Sequence, residues 1–235
     1  MLFRSEVPLG DDAAVLRPPP GRRTVVTVDM LTEGVDFILG PDVPGSRVGH
    51  KALAVNLSDL AAMAARPEAV VVAVALPRKH AADTARDLFA GIGPLAAEHG
   101  VALAGGDTNT WDGPLVIAVT AIGSVPPNAA WTRQGARPGD LLVVTGPCGG
   151  SLLGRHLDVR PRCREALEIA ARLSVHAAID VSDGLALDLD RMARASAVGA
   201  VIDADRVPIH DDARRRSELD RDGVTPLDHA LGDGE

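Results

Sequence analysis

The stretch "SRVGHKALAVNLSDLAAMAARPEAVVVAVAL", residues 46–76, decides the class of fold because it predicts a helix followed directly by a strand. At 100° per residue, one face of a helix over residues 46–65 collects apolar side chains, namely Val48, Ala52, Val55, Leu60 and Met63. Ser46 follows Pro44-Gly45 and is the candidate N-cap. Residues 69–76 are all apolar and rich in valine, which predicts a buried strand. A helix that leads into a buried strand is typical of α/β and α+β domains.

The same alternation continues on both sides of this stretch. Further strands are predicted over residues 23–29, 101–105 and 114–124, and a further helix over residues 80–99. The segment 124–140 contains three prolines and two glycines, which predicts a junction between two domains, residues 1–126 and 127–235. In the second domain we expect strands over 140–146 and 199–204 and one ending at Asp180, with helices over 163–173, from Asp183, and over 209–222.

The composition excludes several classes of function. The net charge is −8 and the pI is about 5.3, which argues against nucleic-acid and anionic-membrane partners because both need a basic surface. Aromatic residues make up 2% of the chain, too few for platforms that stack nucleic-acid bases. The two cysteines, Cys148 and Cys163, are far apart and have no nearby histidine pair, so neither a disulfide framework nor a zinc site is expected. We expect a cytoplasmic protein without a membrane span.

Aspartates recur where predicted strands end, at Asp29, Asp107 and Asp180. Aspartate is an ordinary turn residue, which explains any single case, but open sheets also place their ligands at the carboxyl ends of strands. Asn56 and Asp59 lie within the apolar face of the helix over 46–65. An ionised Asp there is costly unless it is paired or binds a metal. The alternative is a buried Asp59 that hydrogen-bonds to the backbone.

Carboxylates without neighbouring His or Cys suit hard cations, and Mg²⁺ before Ca²⁺ because no EF-hand spacing is present. Mg²⁺ binds through a few carboxylates and completes its octahedron with waters and substrate phosphates. No Walker, lipase-type or protein-kinase motif occurs. The sequence therefore indicates a magnesium site that handles phosphates by another architecture.

A series of motifs then supports a family resemblance. In order along the chain they are "GDDAAVL" (10–16), "TVDMLTEGVDF" (27–37), "GHKALAVNLSDLAAMAARP" (49–67), "GGDTN" (105–109), "WTRQGARPGDLLVVTG" (131–146), "AIDVSDGLALDL" (178–189) and "HALGDGE" (229–235). The series resembles thiamine-monophosphate kinase, in the wider superfamily of aminoimidazole ribonucleotide synthetase. The resemblance runs over nearly the whole chain.

The resemblance implies transfer of the γ-phosphoryl group of ATP to thiamine monophosphate, which gives thiamine diphosphate. It implies an α/β (α+β) fold in which an N-terminal mixed-sheet domain pairs its sheet with that of a second copy to form a homodimer. By position, the magnesium ligands are expected to be Asp12, Thr27, Asp29, Asp59, Asp107, Asp180 and Asp183. The nucleotide contacts are expected to be His99, Gly106, Asp107, Arg133 and Ser182. Asp107, Arg133 and Asp183 are the expected catalytic residues, with Arg133 as a phosphate clamp.

Two departures from the family pattern concern the acceptor. Asp36 stands where the family usually has His in "EGVHF", and we expect this position to face the acceptor together with Glu235. The chain ends at Glu235, within a motif that continues in relatives, so the resemblance implies an incomplete second α/β domain. The alternative function is an inactive or fragmentary Mg-ATP-binding module of the same superfamily. Selenophosphate synthetase and aminoimidazole ribonucleotide synthetase are disfavoured because their expected N-terminal motifs are missing.

Overall fold

Four strands form one mixed sheet in the computed structural model, which describes residue 16, residues 19–220 and residues 223–234. The strands are β1 (Arg23–Thr32), β2 (Arg66–Pro77), β3 (Ala102–Trp111) and β4 (Val116–Val125). Their order across the sheet is β1-β4-β2-β3. β4 is antiparallel to both β1 and β2, and β2 is parallel to β3. The mixed sheet and the α/β class are confirmed.

Two helices pack on one face of this sheet and close the core. They are α1 (Gly45–Ala62) and α2 (Ala81–His99), and Leu53, Leu57 and Leu60 of α1 are buried against the strands. Two glycines allow α1 and α2 to approach closely. A Cβ atom on Gly49 would lie 2.0 Å from the Leu88 carbonyl oxygen, and one on Gly91 would lie 1.8 Å from that of Ser46. These positions require glycine because the obstructing atoms are backbone atoms.

The opposite face of the sheet keeps apolar side chains in solvent. Along β1, Val26, Val28 and Met30 are between 61% and 63% exposed, while Val25 and Leu31 are buried on the helix side. Successive residues of a strand point to opposite faces. β1 therefore presents apolar side chains on both faces, and the helices cover one face.

Four shorter α-helices follow the sheet in the part of the chain that the structure describes. They are α3 (Cys163–Arg172), α4 (Leu185–Ser196), α5 (Asp211–Leu219) and α6 (Pro226–Gly232). α3 packs on α1, where the Cys163 thiol donates to the Leu57 carbonyl at 3.3 Å. α6 begins with a capping box in which Thr225 and Asp228 satisfy each other's backbone N–H groups. Among the helices that the structure describes, none combines the length and the apolar character needed to cross a membrane.

The local pattern predicted most elements but not the strands of the second half. The strands expected over 140–146 and 199–204 and before Asp180 are wrong, since none of these segments forms a strand. Leu141, Val143 and Val201 are exposed, so their apolar sequence finds no neighbouring strand among the described residues. Ser46 is not the N-cap: Pro44 holds that position without a side-chain hydrogen bond, and Ser46 lies inside the first turn.

Candidate functional site

The site is built where the inner face of β1 meets the last turns of α1. The Thr27 hydroxyl donates a hydrogen bond to a carboxylate oxygen of Asp59. One turn earlier on α1, the Asn56 side-chain oxygen accepts from the Asp29 backbone N–H at 3.1 Å. The Asn56 amide donates in turn to the Ala52 carbonyl at 2.9 Å. Asn56 is fully buried, and these bonds satisfy it and fix β1 against α1.

Asp59 connects two further carboxylates electrostatically. Burial, and then the charge of Asp59, raise the pKa of Asp29 to about 6. Burial, and then Asp59, likewise raise the pKa of Asp180 to about 6. The three carboxylates come from β1, α1 and the segment before α4, so they converge only in the folded chain. Because the charge of Asp59 acts on both Asp29 and Asp180, the three carboxylates lie close enough to interact electrostatically.

Arg133 supplies positive charge beside this site. Its charge acts to lower the pKa of Asp180, against the larger effects of burial and Asp59. The Ser196 hydroxyl donates to the Arg133 carbonyl at 2.9 Å. The Ser196 hydroxyl oxygen also accepts from the N–H groups of Gly135 and Ala136, each at 3.1 Å. The Arg133 backbone is therefore tied to the end of α4, while its side chain is exposed. An exposed guanidinium on a fixed backbone is suited to binding phosphate.

A second group of charges lies at the start of α4. Arg191 donates to Asp183, and to Asp188 at 2.8 Å. The other oxygen of Asp188 accepts from the Asp183 N–H at 2.9 Å, so Asp188, which is 1% exposed, is fully partnered. This pair fixes the loop that carries Ser182 and Asp183, both exposed. Gly234 packs on that loop so closely that a Cβ atom would lie 1.8 Å from the Ser182 carbonyl oxygen.

The structure does not bring Gly106 and Asp107 beside the Asp29 site within one chain. Both lie on β3, where Asp107 is opposite Ala73 of β2. β3 is three strands from β1, or about 14 Å at the usual strand spacing. Asp107 is exposed, and a Cβ atom on Gly106 would lie 2.1 Å from the Val72 carbonyl oxygen, which requires glycine there.

His99 and Asp36 lie in other surroundings. His99 ends α2, where burial lowers its pKa and its charged neighbours include Arg164 and Glu165 of α3. The Asp36 carboxylate accepts from the Thr32 N–H at 2.7 Å, and its carbonyl accepts from the buried Lys51 ammonium at 3.2 Å. Asp12 and Glu235 lie outside the described residues.

The oxygen donors of the site have the chemistry that Mg²⁺ prefers, although their side chains are not close together. Within the described residues, no group of three Asp, Glu, His or Cys side chains is close enough to hold a metal ion. Mg²⁺ does not require one, since it is usually bound by one or two carboxylates together with substrate phosphates and waters. Thr27, Asp29, Asp59 and Asp180 offer only oxygen atoms. Ionised carboxylates that repel one another favour a divalent cation.

The reasoning from sequence missed two charged groups. Arg191 was not singled out, although its spacing of three residues from Asp188 on a helix is the available signal for an ion pair. Lys51 of α1 is buried, and burial lowers its pKa. No local signal identifies Lys51, because its burial depends on the segment that carries Asp36.

The chain is similar in sequence to known proteins over most of its length. The family model "AIR synthase related protein, N-terminal domain" matches residues 10–125, and "AIR synthase related protein, C-terminal domain" matches residues 137–228. A thiamine-monophosphate kinase of Rhodopirellula baltica is 46% identical over 236 residues, which cover 97% of this chain and 73% of the relative.

Solved structures give the same result. The crystal structure of thiamine-monophosphate kinase from Stenotrophomonas maltophilia K279a is 38% identical, with a TM-score of 0.82 over 96% of this chain and 76% of that one. The structure described as AaThiL complexed with AMPPCP and TMP is 26% identical, with a TM-score of 0.83 over 96% of this chain and 76% of that one.

Proposed function

Since the chain belongs to the thiamine-monophosphate kinase family, we propose that it transfers the γ-phosphoryl group of ATP to thiamine monophosphate and releases ADP and thiamine diphosphate. The observation that carries the proposal is the convergence of Asp29, Asp59 and Asp180 beside Arg133. The complex of a related protein with AMPPCP and TMP supports the choice of both substrates.

The reaction needs positioning and charge compensation more than proton transfer. The acceptor is a phosphate whose second pKa is about 6, so it is largely dianionic at pH 7 and needs no general base. The bond that forms joins an acceptor oxygen to the γ-phosphorus, and the bond that breaks releases ADP. The chief barrier is the approach of two anions. Catalysis of this kind is in-line positioning with electrostatic stabilisation.

The protein's own residues divide this work. Asp29, Asp59 and Asp180 would each bind Mg²⁺ together with substrate phosphates and waters, with Thr27 orienting Asp59 through its hydroxyl. When bound, the cations neutralise phosphate charge. Arg133 would clamp a phosphate from the other side. Ser182 would contact the nucleotide and Asp183 would bind Mg²⁺, both from a loop that Arg191 holds in place. We also propose, from the family resemblance alone, that Asp36 and Glu235 contact the acceptor and that His99 contacts the nucleotide.

We also propose a homodimer, because β1 leaves Val26, Val28 and Met30 in solvent on the face of the sheet opposite the helices. A second copy that pairs through this face would bury them. Asp107 lies about 14 Å across the sheet from β1, so in a dimer it would serve a site shared between copies.

The division into residues 1–126 and 127–235 is likewise proposed, and the two family models lie on either side of it. A cytoplasmic location rests on the low cysteine content.

The direct test is to incubate the chain with ATP, Mg²⁺ and thiamine monophosphate and to measure thiamine diphosphate by mass spectrometry. Asp180→Asn should abolish product formation, because it removes a carboxylate of the site. Asp190→Asn is the matched control, since Asp190 lies on α4 and pairs with Arg194 at 2.8 Å in solvent. No product from the folded chain, together with Mg²⁺-dependent binding of ATP, would favour the alternative of an inactive Mg-ATP-binding module.

A further inference from the structure

A cavity with a cationic lining lies in the second half of the chain and has no role in the function proposed above. Its volume is about 210 Å³, more than a single water needs. Its lining contributes three guanidinium groups and one imidazole: Arg155, Arg160, Arg162 and His210, with Pro147, Ser151, Asp158 and Val159 completing the wall. In a chain of net charge −8, a cavity with this lining is a local exception.

The single carboxylate in the lining is already neutralised from outside the cavity. Asp158 receives both of its hydrogen bonds from Arg47 of α1, from Nε at 3.0 Å and from Nη2 at 2.5 Å. Arg160 makes no ion pair within the described part of the chain, and Arg162 pairs with Glu165 at 3.2 Å on the first turn of α3. Arg155 in turn pairs with Asp212 at 3.6 Å, so Arg160 supplies the positive charge of the cavity that no described carboxylate pairs with.

Arg155 has a donor that no protein atom uses. Its Nη2 donates to the Gly149 carbonyl at 2.7 Å, which fixes the guanidinium. Its Nε is buried and has no hydrogen-bond partner in the described residues, since the Asp212 carboxylate lies 3.6 Å away. Leaving such a donor unpaired is costly, so it indicates a missing acceptor.

His210 lines the cavity and is a neutral donor, and α3 begins next to the cavity. The Nδ1 atom of His210 accepts from the Asp212 N–H at 3.0 Å, so the neutral ring carries its proton on Nε2 and can donate. α3 begins at Cys163, directly after Arg162, and the N-terminus of a helix favours anions. All of these groups are donors or positive charges, and guanidinium forks match the oxygens of phosphate.

We propose that this cavity, lined by Arg155, Arg160, Arg162 and His210, binds a phosphate group. The group belongs either to free inorganic phosphate or to a phosphomonoester. The site differs in sign from the Asp29–Asp59–Asp180 site and needs no divalent cation. Ser151 borders it and donates to the Gly234 carbonyl, and Gly234 packs on Ser182, so an occupied cavity would adjoin the loop of Asp183.

The test titrates inorganic phosphate into the full chain by calorimetry, with EDTA present and ionic strength held constant with sodium chloride. Arg160→Ala should weaken binding about tenfold, which corresponds to about 1.4 kcal/mol for one charge-assisted contact. Arg155→Lys should weaken it as well, because an ammonium lacks the fork and the Nε donor. Arg172→Ala is the matched control, an exposed arginine at the other end of α3 that should leave binding unchanged.

Two further arms separate the outcomes. Titration with thiamine monophosphate in EDTA distinguishes a phosphomonoester ligand from the free anion. Binding of either ligand supports the site if Arg160→Ala weakens that binding. Asp180→Asn should leave phosphate binding in EDTA intact, so loss of kinase activity and loss of this site are independent. Binding that is equal in the unmodified chain, Arg160→Ala and Arg155→Lys would overturn the proposal, as would the absence of binding.

Discussion

Asp180→Asn should make the metal-free protein more stable at neutral pH. Burial and the charge of Asp59 raise the pKa of Asp180 from 3.8 to about 6, so the folded state binds this proton more tightly than the unfolded state does. Ionisation of Asp180 then lowers the free energy of unfolding. The loss is complete above the pKa of Asp180 in the folded state and absent below its pKa in the unfolded state. The shift of about 2 units corresponds to about 3 kcal/mol at pH 7 and to about 1 kcal/mol at pH 4.5.

The assay is urea unfolding in EDTA at pH 7 and at pH 4.5, for the unmodified chain and for Asp180→Asn. The amide keeps the size of the side chain and removes the charge, so the gain in free energy of unfolding should shrink by about 2 kcal/mol between the two pH values. Asp190→Asn should change stability by no more than about 0.5 kcal/mol at either pH, since it loses one exposed ion pair. A gain at Asp180→Asn that is equal at both pH values would refute the reasoning.

Three further substitutions test other parts of the structure. Thr27→Val should lower the rate of thiamine diphosphate formation about tenfold, because Asp59 loses the hydroxyl that orients it, whereas Thr27→Ser should retain most activity. Gly91→Ala should cost at least about 2 kcal/mol in urea unfolding, because its Cβ atom meets the backbone of α1, and Gly93→Ala, with nothing within 4 Å, should show no such loss. Val28→Glu should give a monomer in analytical ultracentrifugation and Val35→Glu should not, since only Val28 lies on the open face of the sheet; equal masses for both would contradict the dimer.

The sheet and its two helices were predictable because their signals are local. The apolar face of the helix over 46–65 and the valine run over 69–76 each need only their own neighbours in sequence to be recognised. The segments 140–146 and 199–204 carry the same apolar signal and yet form no strand. A strand exists only when another strand pairs with it, and that pairing partner is not encoded in the segment itself.

The residue types of the candidate site were predictable from the sequence, but which of these residues lie near one another was not. Asp59 was singled out because a carboxylate in an apolar helix face needs a reason, and the structure supplies one in Thr27 and the neighbouring Asp29. Asp107 shows the limit of such reasoning. Its position after a predicted strand suggested that it joins the other aspartates, but which strands are neighbours is a property of the whole sheet.

The crowding of aspartates between residues 180 and 190 resolves into one exception. Arg191 pairs with Asp183 and Asp188, and Arg194 pairs with Asp190, so each of these three has an arginine partner on α4. Asp180 is half-buried, faces Asp59, and has no such ion pair in the described chain. A fold under selection for stability alone would gain about 3 kcal/mol from an asparagine at this position. A charge retained at that cost supports the proposal that Asp180 is a functional carboxylate.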